Sequence, residues 1–236
     1  MRSPILSAMN INKNYNFKQV LFQCLFINLV FCPAPSHCET LPAKEGAHEH
    51  NLQGISLQSQ GHLKEACDEY QKAIHLQPGS AAYHNNLALV LKDMDKLDEA
   101  EKQARIALKL KPKRADYHYN LGIILQRQNH LDNAEAELRQ ATNMEALDPE
   151  FHYRLSQVLM QQSKLADAEQ EIKIALLVKP NESKYHKLLG DSLLQQTKHE
   201  GALYEYKKVL DITPNTQDIG DLKNKIDYLR QVLKTH

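Results

Sequence analysis

The stretch Ala81–Arg114, AAYHNNLALVLKDMDKLDEAEKQARIALKLKPKR, decides the fold. Leu87, Ala88 and Leu91 stand three and four residues apart, which places them on one face of a helix. Ala100, Ala104 and Ala107 make the matching face of a second helix. Asp95 and Lys96 mark the turn between the two. Pro112 stops the second helix, because proline lacks a backbone N–H and its ring clashes with the preceding turn. The unit is a helical hairpin.

It recurs. Ala66, Ala100, Ala134, Ala168 and Ala202 are spaced by 34 each time, and so are Leu57, Leu91, Leu125, Leu159 and Leu193. A column of small residues runs Gly54, Ala88, Gly122, Ser156 and Gly190, and another runs Ala73, Ala107, Ala141 and Ala175 before Val209 replaces it. These registers divide residues 47–216 into five units, 47–80, 81–114, 115–148, 149–182 and 183–216, without one insertion. Small side chains at Ala88 and Ala100 let the helices of a hairpin approach, and Ala107 lets the next hairpin dock. After the last unit, Ile219, Leu222, Ile226, Leu229 and Leu233 sit at helical spacing among charged residues. A stacked array leaves its last hairpin with a bare apolar face, so residues 217–236 are expected to form a capping helix.

The pattern resembles the tetratricopeptide repeat. The first unit carries Gly54, Leu57, Ala66, Tyr70, Ala73 and Pro78 at the signature positions, and the third carries Leu121, Gly122, Leu125, Ala134, Leu138 and Ala141. The third departs by having Ala146 where proline is expected, with Pro149 three residues on, so its second helix is expected to run longer and Pro149 to open the next. The resemblance implies an all-α, right-handed superhelical solenoid of five helix-turn-helix repeats plus the cap. In that family the second, fifth, sixth, ninth, twelfth and thirteenth residues of each unit line the concave wall. The wall implied here includes Asn51, Asn85, Asn86, Lys92, Tyr119, Asn120, Arg127, Tyr153, Arg154, Gln157, Lys184 and Lys187. Amides suit an extended peptide, since each donates and accepts at once. Arg127 and Arg154 can pair with carboxylates. Members that clamp a C-terminal carboxylate use Lys and Asn in one unit, Asn in the next, and Lys and Arg in the third, a set in which only Asn120 and Arg154 fit, which disfavours that mode.

Composition agrees with a folded helical chain. Of 236 residues, 42% are hydrophobic and 25% charged, with no Trp and eight Gly. The formal net charge is zero, so no field of one sign points to nucleic acid or an anionic membrane. The charge is unevenly placed: Arg2, Lys13 and Lys18 precede any acidic residue before Glu39. An apolar run follows, Val20–Cys32, broken only by Gln23 and Asn28, and then Ala34 and Ser36 among prolines. That is the layout of a secretory signal over residues 1–38, with cleavage expected between 36 and 40 and a linker over 39–46. The run is shorter than the roughly 18 apolar residues of a membrane span, which favours removal over an uncleaved anchor. Met9 is an alternative start. The mature chain is then secreted, or periplasmic in a Gram-negative cell; the alternative is a membrane-anchored chain with the repeats outside the cytoplasm.

Cys24 and Cys32 belong to the leader and Cys38 lies at its edge, leaving Cys67 and no disulfide framework. Every unit has histidine at one position: His50, His84, His118, His152 and His186. Translated along parallel helices roughly 8 to 10 Å apart, these rings cannot converge to the about 2.0 Å that a zinc ion needs. They are expected to be packing residues with a polar edge, not metal ligands; His48 with His50 is a weaker metal possibility. No phosphate loop, His-Glu-x-x-His, Cys-x-x-Cys or nucleophile elbow occurs, so neither enzyme activity nor a cofactor is expected. Asn181-Glu182-Ser183 matches a glycosylation acceptor, relevant only in a eukaryotic secretory pathway. The expected role is a scaffold taking a protein or peptide partner, with no nucleic acid and no small-molecule substrate. An architectural part with an empty groove is the alternative.

Overall fold

The helices keep the period of the sequence. The computed structural model describes residues 40–215 and 219–234; the segment read as a secretory signal, with its three cysteines, lies outside them. Among the described residues there are eleven α-helices and no strand. They are α1 Thr40–Ser59, α2 Leu63–Leu76, α3 Ala81–Asp93, α4 Leu97–Leu110, α5 Ala115–Arg127 and α6 Leu131–Met144. The rest are α7 Pro149–Gln161, α8 Leu165–Val178, α9 Ser183–Gln195, α10 His199–Ile212 and α11 Ile219–Val232. Odd and even helices pair into five hairpins, the first through Gly54 against Tyr70 and His50 against Glu69, α11 packs on α10, and Leu41–His236 is one compact unit.

Two local expectations change. Residues 40–46, read as a linker, are the start of α1; Pro42 falls in its first turn, where no intrahelical N–H bond is required of it. The second helix of the third hairpin is no longer than its siblings, since α6 spans 14 residues like α4. It stops without proline because the chain turns at once, the Glu145 N–H bonding the Ala141 carbonyl at 3.0 Å and the Asp148 N–H bonding the Glu145 carbonyl at 3.2 Å. Asp148 then caps α7, accepting from the Glu150 and Phe151 N–H groups, and Pro149 opens that helix as expected.

Each hairpin turns the same way. The second residue after the first helix has a positive φ in all five: Gly61, Asp95, Asn129, Ser163 and Thr197. The following N–H reaches back five residues, as from Lys96 to the Leu91 carbonyl at 2.9 Å and from Lys198 to Leu193 at 2.9 Å. This is the left-handed helix end that ties off the last carbonyls. Glycine, Asp and Asn accept it readily, whereas the β-branched Thr197 does not.

Inside each hairpin the small column faces one position of the second helix. A Cβ on Gly54 would stand 2.6 Å from the Tyr70 ring, one on Gly122 2.7 Å from Leu138, and one on Gly190 2.6 Å from Tyr206. The equivalent pairs in the second and fourth hairpins are Ala88 with Ala104 and Ser156 with Ile172, all buried. Size is shared across the contact: where the first helix has no side chain, the second supplies a large one. Between hairpins, Ala73, Ala107 and Ala141 are fully buried and pack with Tyr83, Tyr117 and Phe151 of the next unit. Val209, which ends that column, packs in one cluster with Leu222, Ile226 and Leu229 of α11.

The histidine column ties the two helices of a hairpin together and, from the second hairpin on, fastens each to the loop before it. Nδ1 of His50, His118, His152 and His186 lies 2.6 to 2.7 Å from Glu69, Glu137, Glu171 and Glu205. His84 meets Gln103 instead, at 2.7 Å. Nε2 of the last four reaches the carbonyl of Pro78, Pro112, Ala146 or Pro180, between 2.8 and 3.0 Å away. For His152 both partners are acceptors, so the ring donates from both nitrogens, which only the imidazolium does. Burial pushes its pKa down, but the Glu171 carboxylate and the Ala146 carbonyl outweigh that, with Asp148 adding to them, and the value is raised.

Gly190→Ala should destabilise the chain by about 1–3 kcal/mol through overpacking. Adding Tyr206→Ala, which reproduces the second hairpin's pair, should give a double variant more stable than the two single effects predict. Urea denaturation of all four proteins checks this, and strict additivity would refute the size-sharing contact. Thr197→Asn should raise the unfolding midpoint, gaining about 0.5–1 kcal/mol by relieving left-handed strain. A raised histidine pKa adds stability that is complete below the unfolded value of about 6.5 and is lost as pH rises through the folded value. The thermal midpoint should therefore fall between pH 6 and pH 8, and fall less in Glu171→Gln, where position 171 takes the residue found at 103. Equal pH slopes in the two proteins would exclude this contribution.

Candidate functional site

The first helices of neighbouring hairpins touch, α3 with α5, α5 with α7 and α7 with α9, whereas no such contact joins successive second helices among the described residues. The stack therefore curves with first helices inside. Neighbouring units are offset by one residue there, so the sixth position of a unit meets the fifth of the unit before. Asn86 Nδ2 donates to Asn51 Oδ1 at 2.8 Å, and Asn120 Nδ2 donates to Asn85 Oδ1 at 2.9 Å. The asparagines expected to grip a peptide thus bond each other, and Asn51 and Asn85 are buried. The translation that aligned them in sequence brings their amides within reach in space.

The asparagine ladder ends at the third interface. Its sixth position is Arg154, opposite Tyr119, and at the fourth interface it is Leu188, opposite Tyr153. Burial raises the Tyr119 pKa, while the charge of Arg154 opposes the shift. Here the wall opens into two adjoining concavities. One, of about 580 Å³, is lined by Gln126, Arg127, Arg154, Gln157, Met160, Gln161, Leu188 and Gln195. The other, of about 540 Å³, shares Gln157 and Leu188 and adds Tyr153, Lys184, Lys187 and Asp191 among others.

Aromatic rings and charges order this region. Tyr119 stacks on Phe151 with centroids 4.8 Å apart, and Tyr153 leans on Tyr185 at 5.2 Å. Lys184 Nζ lies 4.9 Å from the Tyr153 ring centre and 5.3 Å from that of Tyr185, within cation–π range. The same ammonium pairs with Glu150 at 2.6 Å, and Glu150 also accepts from the Tyr119 hydroxyl at 3.4 Å. Arg154 approaches Glu150 only to 4.0 Å. Arg127 is anchored, bonding the Lys92 carbonyl and pairing with Asp95 at 2.8 Å. Lys92 itself pairs with Asp93 at 3.3 Å. Gln157 Nε2 donates to the Tyr153 hydroxyl at 3.0 Å. Two polar atoms stay buried without a partner, Arg154 Nε and Gln157 Oε1.

Of the twelve residues expected on the wall, Arg127, Arg154, Gln157, Tyr153, Lys184 and Lys187 come together around the two concavities. Asn51, Asn85, Asn86, Lys92, Tyr119 and Asn120 line neither. Gln126, Met160, Gln161, Leu188, Asp191 and Gln195 also line the concavities, from the sixth, ninth, twelfth and thirteenth positions of their units. Residue type does not mark them out in the sequence; only their columns do. Histidine is not part of this wall, and among the described residues no three His, Cys, Asp or Glu side chains converge on a metal position.

Comparison with known proteins follows the same residues. The family model described as Tetratricopeptide repeat matches residues 87–150, 119–176 and 153–215, and a second of the same description matches 69–102. No curated protein matches the chain. Among solved structures, that of Pseudomonas aeruginosa pilF is 20% identical with a TM-score of 0.67, covering 82% of this chain and 93% of its own. MamA 41-end from Desulfovibrio magneticus RS-1 is 18% identical with a TM-score of 0.68, covering 73% of this chain and 98% of its own. YrrB, described as a TPR protein with an unusual peptide-binding site, is 21% identical with a TM-score of 0.65, covering 80% of this chain and 100% of its own. At these identities the likeness speaks for the fold. With the family models spanning more than half of its length, the chain belongs to the tetratricopeptide repeat family.

Proposed function

We propose that this protein is a non-catalytic interaction scaffold that holds a segment of a partner protein in the groove formed by α5, α7 and α9. The observation that carries this reading is the end of the asparagine ladder. The first two interfaces close on themselves through Asn51–Asn86 and Asn85–Asn120, while the next two leave adjoining concavities floored by Met160 and Leu188 and rimmed by amides and cations. A floor of apolar side chains with a few placed polar groups is the make-up of a site that takes a ligand. YrrB's peptide-binding site lends support by analogy of fold. We further propose that residues 1–38 direct export, placing the repeats in a periplasmic or extracellular space; no described helix is long and apolar enough to cross a membrane.

A second reading, an architectural part that assembles through its outer edges, is favoured by Leu147 and Leu177, which are 75% and 83% exposed. One experiment separates the two. A photo-crosslinking residue placed at Gln161, in the groove, should capture a partner in the host cell, and the same residue at Leu177 should not. Adducts from Leu177 alone would overturn the groove reading in favour of the outer edge.

A further inference from the structure

From the chemistry of the larger concavity, we infer that the segment it takes is extended and acidic, with a side-chain carboxylate seated on Arg154. The inference rests on the groove reading above and narrows it. None of the residues lining the 580 Å³ concavity is a carboxylate, while two are guanidinium groups and four are glutamines. Arg127 is held at its rim by Asp95 and the Lys92 carbonyl, whereas Arg154 lies beside the neutral Tyr119 hydroxyl and, among the described residues, has no carboxylate closer than Glu150. Its ion pair with Glu150 is stretched to 4.0 Å. A guanidinium in such surroundings matches a carboxylate in charge and in fork geometry.

The two unpartnered atoms say how the chain would lie. Arg154 Nε is a donor and Gln157 Oε1 an acceptor, three residues apart on one side of α7, both buried from water. A buried polar atom without a partner is unfavourable, and the missing pair here is one acceptor next to one donor. A peptide unit supplies both, and only an extended segment has them free, since a helix uses its own internally. Met160 and Leu188 give the alternate side chains an apolar surface.

A phage-displayed library of random dodecapeptides, fused through their C-termini so that no terminal carboxylate is free, tests this on the full chain. The selected pool should be enriched in Asp and Glu over the input. A synthetic copy of a selected peptide should bind Arg154→Ala about tenfold more weakly than wild type. Arg154→Lys should recover part of the loss, because it restores charge without the fork, and Gln157→Leu should weaken binding with the charge intact. Unchanged circular dichroism of the variants separates lost contacts from lost fold. Peptides that bind and crosslink to residue 161 without acidic enrichment, or that ignore Arg154→Ala, would overturn the acidic partner while leaving the groove reading standing. A library from which nothing is selected would overturn both.

Discussion

Everything in this molecule rests on how closely the two helices of a hairpin approach each other. The approach is set by a single contact, between the small residue in the middle of the first helix and the side chain facing it from the second. Gly54 lies under Tyr70, Gly122 under Leu138 and Gly190 under Tyr206, with no room for a methyl group. Where the first helix carries Ala88, the second answers with Ala104. The interior is packed like a solid, so volume removed on one side has to be supplied on the other. A glycine is covered by a large side chain in three hairpins, while Ala88 and Ala104 meet with two small ones, and hairpins with different residues keep the same helix-turn-helix path. That shared path is what lets Ala73, Ala107 and Ala141 receive the ring of the next unit.

Once the hairpins are alike, stacking them places equivalent columns side by side, and the inner wall becomes a set of repeated encounters. The offset of one residue makes these encounters pairwise, sixth position against fifth. With asparagine on both sides the pair satisfies itself and the wall closes. With Arg154 or Leu188 in the sixth position no such bond forms, and space and unsatisfied polarity appear together. The histidines act on the opposite concern. Their ring nitrogens are taken up by a carboxylate or amide of the second helix and a carbonyl of the preceding loop, which fixes each unit internally and keeps imidazole out of the groove chemistry.

The fold was legible because its determinants repeat. Five alanines at positions 66 to 202 and five leucines at 57 to 193 leave no second way to phase the helices. The turn residues were harder to read, since Gly61, Asp95, Asn129, Ser163 and Thr197 share a conformation without sharing a residue type. The site was legible as columns but not as contents. Arg154 and Gln157 were visible, while the asparagines looked like free ligands because one unit seen alone cannot reveal that its partner lies 35 residues away. The histidine–glutamate brackets, 19 residues apart, were hidden for the same reason: a hydrogen bond between helices depends on the crossing geometry, which the period alone does not state. The end of α6 is not legible from proline alone, because the turn at Glu145 closes the helix without one.

The groove claim is tested most directly by methyl NMR of the protein titrated with the partner segment it captures. The Met160 and Leu188 methyl groups, which floor the concavities, should shift as the segment binds, while those of Leu147 and Leu177 on the outer edge stay in place. Shifts at Leu147 and Leu177 with Met160 and Leu188 unmoved would contradict a groove that opens where the asparagine ladder ends.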